Sequence, residues 1–208
     1  MRIDEMSSAA FAEAVKDDPV VFLPMGAVEA HGPHLPLGTD TFQPEHVVRE
    51  VCGRTGGLIA PTINYGQHSS TRNFPGTLDI TFDTLRALVT DVLAALQRNG
   101  IRKVVIVSAH LGSIHRSAIK LACEHAARQG MKVMMLSDYE LAYDKKPDVC
   151  EGIPDGHGGI IETSRIMDIR PDLVSEERSV GEFVDMHFMV HADAERCLPQ
   201  GFGGDARK

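Results

Sequence analysis

The sequence has 208 residues, 43% of them hydrophobic and 24% charged, with a formal charge of −8. Those proportions suit a globular chain and exclude a disordered or fibrous one. The negative balance argues against nucleic acid or an anionic membrane as partner, because phosphates call for a basic surface. Cys52, Cys123, Cys150 and Cys197 are scattered without a C-x-x-C pair, so they read as reduced, structural thiols.

In chain order, Ser7 to Asp17 reads as a helix, and Val20 to Met25 as a buried strand ended by a Gly/Pro/His-rich loop. Pro44 to Arg54 reads as a helix with proline in its first turn, where the missing N–H does no harm. From Phe82 to Asn99, Leu85, Leu88, Val89, Val92, Leu93 and Leu96 fall on one helical face. Thr81 or Asp83 can cap its start and Gly100 its end. Lys103 to Ser108 is a central strand, Ile114 to Gln129 a helix with Ser113 as cap and Gly130 as stop, and Lys132 to Ser137 the next strand. Residues 144–159 are rich in Gly, Pro and Asp and read as a functional loop. Ile160 to Ile169 is a helix stopped before Pro171, and the chain from Ser175 onward reads as irregular with short strands. Strands alternating with helices imply parallel β-α-β units with helices on both faces, here in one domain over residues 1–208. No apolar run is long enough to span a membrane and no signal-like segment opens the sequence, so the cytoplasm is the expected compartment.

In open parallel sheets, ligands bind beyond the carboxyl ends of the strands. Three such ends carry metal-ligand residue types here: Glu29, His31, His34 and Asp40 after the first strand, His110 after Lys103–Ser108, and Asp155, His157 and Glu162 after Lys132–Ser137. Mixed carboxylate and imidazole donors suit zinc, manganese or iron(II). Singly, each has a plain structural alternative. Glu29 can be a solvated loop carboxylate, His31 and His34 packing residues beside prolines, and Asp40 a helix N-cap. Their coincidence at one sheet edge favours a site.

The run Leu23 to Asp40, L-P-M-G-A-V-E-A-H-G-P-H-L-P-L-G-T-D, closely resembles the signature of the creatininase (creatinine amidohydrolase) family. Phe74 to Leu78 (F-P-G-T-L), Ser108 to Ser113 (S-A-H-L-G-S) and His157 to Ser164 (H-G-G-I-I-E-T-S) are similar to further family segments in the same order. The resemblance implies a three-layer α/β/α sandwich with a mostly parallel sheet and a homo-oligomer, often a hexamer. It implies that Glu29, His31, Asp40 and His110 bind a divalent metal, with Asp40 bridging where two ions are bound. Zinc is the first choice, manganese or iron the alternatives, with one or two ions per subunit. His157 becomes the proton carrier beside a small-molecule substrate, and Glu162 a ligand or a base.

Departures from the family pattern bear on the metal and on the substrate. Where creatininase proper has a metal-binding Glu two residues beyond its ligating His, this sequence has Gly112, so Glu162 is the expected source of the missing oxygen. Creatininase proper frames its substrate with tryptophans, and this sequence has none. Relatives also continue from a G-D-P segment similar to Gly204-Asp205-Ala206 into another helix. The expected chemistry is attack of an activated water on a carbonyl, with His68, Gly76, Thr77 and a loop N–H near Gly112 as substrate contacts. A C–N bond of a cyclic amide or formamide is the first reading. A C–C bond of a cyclic keto-inositol (3-dehydro-scyllo-inosose type) is the second, and a non-catalytic metal-binding maturation protein the third. The third is favoured if His157 and Glu162 lie far from the metal.

Overall fold

The computed structural model describes residues 1–141, 149–153, 155–184 and 192–207. Four strands form one parallel sheet: β1 (Val20–Met25), β2 (Leu58–Ile59), β3 (Lys103–Ser108) and β4 (Lys132–Leu136), in the order β2-β1-β3-β4. Around it lie α1 (Ser8–Val15), α2 (Thr39–Thr55), α3 (Phe82–Arg98), α4 (Ser113–Arg128), the short α5 (Asp138–Leu141) and α6 (Ile160–Ile169). A two-stranded antiparallel ribbon, β5 (Val180–Gly181) and β6 (Gly204–Asp205), agrees with the expectation of short strands after residue 175.

Apolar side chains emerge from both faces of β1 and β3, as a doubly covered parallel sheet requires. Val21, Leu23, Val104 and Ile106 pack under α3 and α4, and Phe22 and Val107 under α2. Helices on both sides make the three-layer α/β fold expected from the sequence. Pro24 sits in a central strand without breaking the β1–β3 ladder. The Phe22 and Pro24 carbonyls face Ala60 and Ile63, so the missing N–H of Pro24 points to the side where β2 has already ended.

β1 and β3 run level from Val20–Lys103 to Met25–Ser108. The loop after Met25 and the loop carrying His110 therefore leave the sheet side by side. The β3–β4 register, ending at Val107–Leu136, brings α5 to the same edge.

Several boundaries differ from expectation. α2 begins at Thr39 rather than Pro44, so Pro44 stands inside the helix. A proline there removes the bond to the carbonyl four residues back, which is that of Asp40. Gly26 accommodates that carbonyl at close range: a Cβ at Gly26 would meet Asp40 O at 2.6 Å. Asp40 is accordingly no N-cap. That place belongs to Gly38, which makes no side-chain cap bond. Ser113 is likewise the first residue of α4, with Gly112 as cap. The two-residue β2 carries too short a pattern to be read from sequence. Of the loop expected over 144–159, residues 144–148 and 154 lie outside the described residues.

Candidate active site

The loop after β1 and the start of α2 supply Glu29, His31 and Asp40, the loop after β3 supplies His110, and the segment entering α6 supplies His157 and Glu162. Asp40 and Glu162 both lie in the first turn of a helix, where the dipole favours a carboxylate. Glu29, His31 and Asp40 are at most 2% exposed, His110 is 6% and Glu162 9%. Such burial of charged groups is tolerable only when they are paired or coordinate an ion.

The imidazoles are held by main-chain carbonyls. His31 Nδ1 lies 3.0 Å from Glu29 O, His110 Nε2 3.0 Å from Gln67 O, and His157 Nε2 2.7 Å from Ala30 O. A carbonyl can only accept, so each ring carries its proton on that nitrogen and presents the other elsewhere. His31 Nε2 faces Asp40 Oδ1 at 3.3 Å and Glu162 Oε2 at 3.6 Å. His110 Nδ1 faces Glu29 Oε2 at 2.8 Å and Asp40 Oδ2 at 3.2 Å. The two oxygens of Asp40 thus face two different imidazoles. Glu162 Oε2 also accepts the Gly158 N–H at 2.6 Å, and Glu29 Oε1 accepts from the Thr71 hydroxyl.

The electrostatics follow from that crowding. Burial works against charge on His31, but Asp40 and Glu162 outweigh it and raise the ring to about 10. His110 is raised well above the usual range in the same way, against burial, by Glu29 and Asp40. Burial would raise Glu29, yet His110 and His157 hold it at about 2. Asp40 is held low against burial by His31 and His110. Glu162 differs: burial prevails over His31 and His157 and raises its carboxyl. Without an ion, protons on His31 and His110 therefore balance the carboxylates.

The donor set fits a divalent metal. Glu29 Oε2 and His31 Nε2 are buried and make no hydrogen bond, and a ligating imidazole characteristically donates its second N–H to a carbonyl or carboxylate. His31, Asp40 and Glu162 each offer an atom within 4.8 Å of the others, as do Glu29, His31 and His157. Above these groups opens a cavity of about 280 Å³, walled by Ser70, Leu111, Gly112, Tyr139, Gly156, His157 and Leu198. A larger apolar groove of about 470 Å³ lies elsewhere, against Phe11, Val92 and Leu96, and includes none of these groups.

Not every expected residue reaches the cavity. His68 is fully buried and faces Glu29 and Asp79, not the open space. Thr77 accepts the Ala30 N–H at 3.0 Å, and Gly76 packs on Leu37. Thr77 and Gly76 thus support the loop after β1, and none of the three lines the cavity where they were expected. His34 binds Gly158 O at 2.9 Å and Thr163, tying the same loop to α6. Asp155 accepts from Tyr139 at 3.1 Å on the cavity rim. Gly112 does line the cavity, and a Cβ there would meet His110 Nε2 at 2.8 Å. Sequence reasoning missed Thr71, Tyr139 and His115. Tyr139 follows β4 at the edge already singled out, so the strand-end rule reaches it. His115 packs edge-on against His110 with ring centroids 4.6 Å apart, and burial lowers its ring to about 3. Nothing in its sequence context marks that contact.

The family model of creatininase, creatinine amidohydrolase, matches residues 4–208. The chain belongs to the creatininase family. Creatinine amidohydrolase of Pseudomonas putida is 33% identical over 187 residues, covering 81% of this chain and 71% of that protein. A mycofactocin precursor peptide peptidase of Mycobacterium ulcerans is 29% identical, covering 85% and 68%. The 3-dehydro-scyllo-inosose hydrolase of Thermotoga maritima is 26% identical, covering 94% and 61%. Among solved structures, a manganese creatininase superposes with a TM-score of 0.90 at 26% identity, covering 99% of this chain and 88% of its own. A creatininase variant of zinc–zinc type gives 0.84 at 28% identity, covering 100% and 88%. This creatininase-family chain is accordingly a metal-dependent amidohydrolase by class, at a distance that leaves its substrate open.

Proposed function

We propose that this family member hydrolyses a C–N bond in a small polar amide, with two adjacent cation positions at the cavity floor. The observation carrying the reading is the orientation of Asp40, one oxygen towards His31 Nε2 and the other towards His110 Nδ1. In the proposal, Glu29, Asp40 and His110 hold one ion, and His31, Asp40 and Glu162 the other. Glu162 then supplies the oxygen that Gly112 cannot. A divalent ion bound there polarises a carbonyl and acidifies water.

His157 is the proton carrier in this reading. Its Nε2–H is fixed on Ala30 O, which leaves Nδ1 to take a proton from the attacking water and return it to the departing nitrogen. Water adds to the carbonyl carbon, the C–N bond breaks, and the amine leaves with that proton. Ser70 and Tyr139 supply hydroxyls on the cavity wall for orienting the substrate. The maturation-protein reading would be favoured by His157 and Glu162 lying far from the ligand cluster. Instead the His157 ring lies 4.1 Å from that of His31.

Cleavage of a C–C bond in a polyhydroxylated cyclic ketone is the second reading, favoured by a wall with hydroxyls from Ser70 and Tyr139 and no tryptophan. Zinc- and manganese-loaded protein assayed against creatinine, other lactams, formamides, short peptides and a keto-inositol separates the two. The expected outcome is turnover of an amide with two ions bound. His157→Ala should keep its metal and lose at least about a hundredfold in rate. Full metal stoichiometry in both Glu29→Gln and His31→Ala would overturn the ligand assignment.

A further inference from the structure

His68 has no task in the reaction as described, yet its setting is unlike that of a packing residue. The side chain is fully buried, and neither ring nitrogen makes a hydrogen bond. Both nitrogens nevertheless face carboxylates. Nε2 lies 3.9 Å from Glu29 Oε2, an oxygen that is itself buried without a hydrogen bond. Nδ1 lies 3.5 Å from Asp79 Oδ1.

The main chain holds this line in place. Gly66 and Asp79 form a parallel bridge, and the Ile80 N–H donates to Gly66 O at 2.9 Å. Asp79 Oδ1 also accepts the backbone N–H of His68 at 2.7 Å. The carboxylate is thereby anchored beside the ring it faces, with its side chain 31% exposed at the outer end.

A separation of 3.9 Å is too long for a hydrogen bond. Two atoms each bonded to one zinc ion at about 2.1 Å stand roughly 3.4 Å apart in a tetrahedral site, and further apart as the angle opens. Glu29, His68 and His110 each offer a ligand atom within 4.8 Å of the others.

We propose that His68 is a further metal ligand, completing the position shared by Glu29 and His110, with Asp79 orienting its ring. The proposal rests on the metal reading of the preceding subsection. Asp79 stands to His68 as the carbonyls of Glu29 and Gln67 stand to His31 and His110: it faces Nδ1 at 3.5 Å, and with an ion on Nε2 it would receive the Nδ1–H and fix the ring. A second imidazole also makes that position the more nitrogen-rich of the two. It is then the one better suited to zinc or cobalt than to manganese.

Two measurements test this, and neither is an activity. In wild-type protein carrying ¹⁵N-labelled histidine, zinc loading should move the ring nitrogens of three histidines, His31, His68 and His110. The His68 signals are assigned by their loss in His68→Gln. If zinc moves His31 and His110 but leaves His68 in place, the proposal is overturned and the two-position reading survives. In cobalt titrations, His68→Gln should weaken one of two equivalents at least tenfold and alter its visible band. Asp79→Asn should weaken the same equivalent by less, and His31→Ala should affect the other. Wild-type affinity and an unchanged band in both the 68 and 79 variants would overturn the assignment. Failure of wild-type protein to bind either ion would overturn the metal reading along with it. Should His68→Gln fail to fold, the number of histidines that zinc moves in the labelled wild-type spectrum, three against two, and the Asp79→Asn titration still decide.

Discussion

On one face of the sheet, α3 and α4 bury Leu85, Val89, Leu93, Ala118, Ile119 and Ala122 against Val21, Leu23, Val104 and Ile106. On the other, α2 offers Val48 and Cys52 to Phe22, Ile59 and Val107, and buries Thr39, Asp40, Gln43 and Pro44 besides. The apolar face obeys most local rules, with amphipathic spacing, a Thr81 cap on α3 and glycine beyond each helix end, although α4 starts at Gly112 without a side-chain cap. The α2 face breaks several, with an interior proline, an uncapped start and a buried carboxylate. Close apolar packing on one side lets the other hold groups that would not fold a protein by themselves.

The sharpest way to break that division is a pair of substitutions. Asp40→Asn removes the charge and the symmetry of the oxygen pair facing two imidazoles. Turnover should fall about a thousandfold or more, the scale of several kcal/mol of lost stabilisation, and metal content should drop. Leu93→Ala, fully buried under α3, should cost about 3 kcal/mol of stability with metal stoichiometry unchanged. Thermal unfolding and metal analysis of both proteins check it. A loss of metal in Leu93→Ala would show that the two faces are not separable.

Proton linkage separates the faces next. His31 is raised from 6.5 to about 10 in the folded protein, so its contribution to metal-free stability is complete below 6.5 and is lost as pH rises through 10. Glu29 is lowered from 4.5 to about 2, so its contribution is complete above 4.5 and is lost as pH falls through 2. Metal-free protein should therefore be most stable between about pH 4.5 and 6.5. Loaded protein should keep its stability to higher pH, because ions replace the protons on His31 and His110. Loading near pH 7.5 should release about two protons, and affinity should rise about tenfold per pH unit for each proton displaced. Calorimetric titration in buffers of different ionisation enthalpy measures this, and loading without proton release would contradict it.

How far the sequence carries differs between the faces for the same reason. β1, β3, β4, α3, α4 and α6 were legible to within a residue or two at most ends, because apolar periodicity repeats over several turns or alternate residues. The start of α2 was not, because Pro44 signals a first turn and only the Gly26 contact explains its place inside the helix. The gathering of Glu29, His31, Asp40, His110, His157 and Glu162 was legible from strand ends together with the family's motifs. His68 was misplaced, since a histidine in an irregular segment carries no periodicity to say which way it faces. Thr71 and His115 were invisible for a related reason: their contacts join residues 42 positions apart in one case and, in the other, the loop at Gln67 to the first turn of α4, 48 positions on.

Gly26→Ala sharpens the comparison at backbone level. The new methyl would meet Asp40 O and Thr41 Cα at 2.6 Å, and backbone cannot give way as a side-chain tip can. A displacement of about 1 Å at a reacting centre costs on the order of a hundredfold in rate. Turnover should fall by ten- to a hundredfold, with stability reduced by about 1–3 kcal/mol from the overpacking. Steady-state kinetics beside thermal unfolding check it; unchanged kinetics would mean that Asp40 is not held by this contact.

The smallest effect concerns how the helices begin. α1 and α3, away from the site, start with Ser7 and Thr81, whose hydroxyls accept from Ala10 N and Thr84 N at 3.2 Å. α2, α4 and α6, which carry or adjoin the ligand groups, start with Gly38, Gly112 and Gly159 and make no side-chain cap bond. A capping hydroxyl satisfies the free N–H groups of a first turn. At the site these groups and their dipole are left to the carboxylates of Asp40 and Glu162 instead. Thr81→Ala should therefore cost about 1 kcal/mol of stability and leave kcat, KM and metal affinity at wild-type values. Denaturant unfolding and metal titration measure both, and a change in metal affinity would show that the capped helices also shape the site.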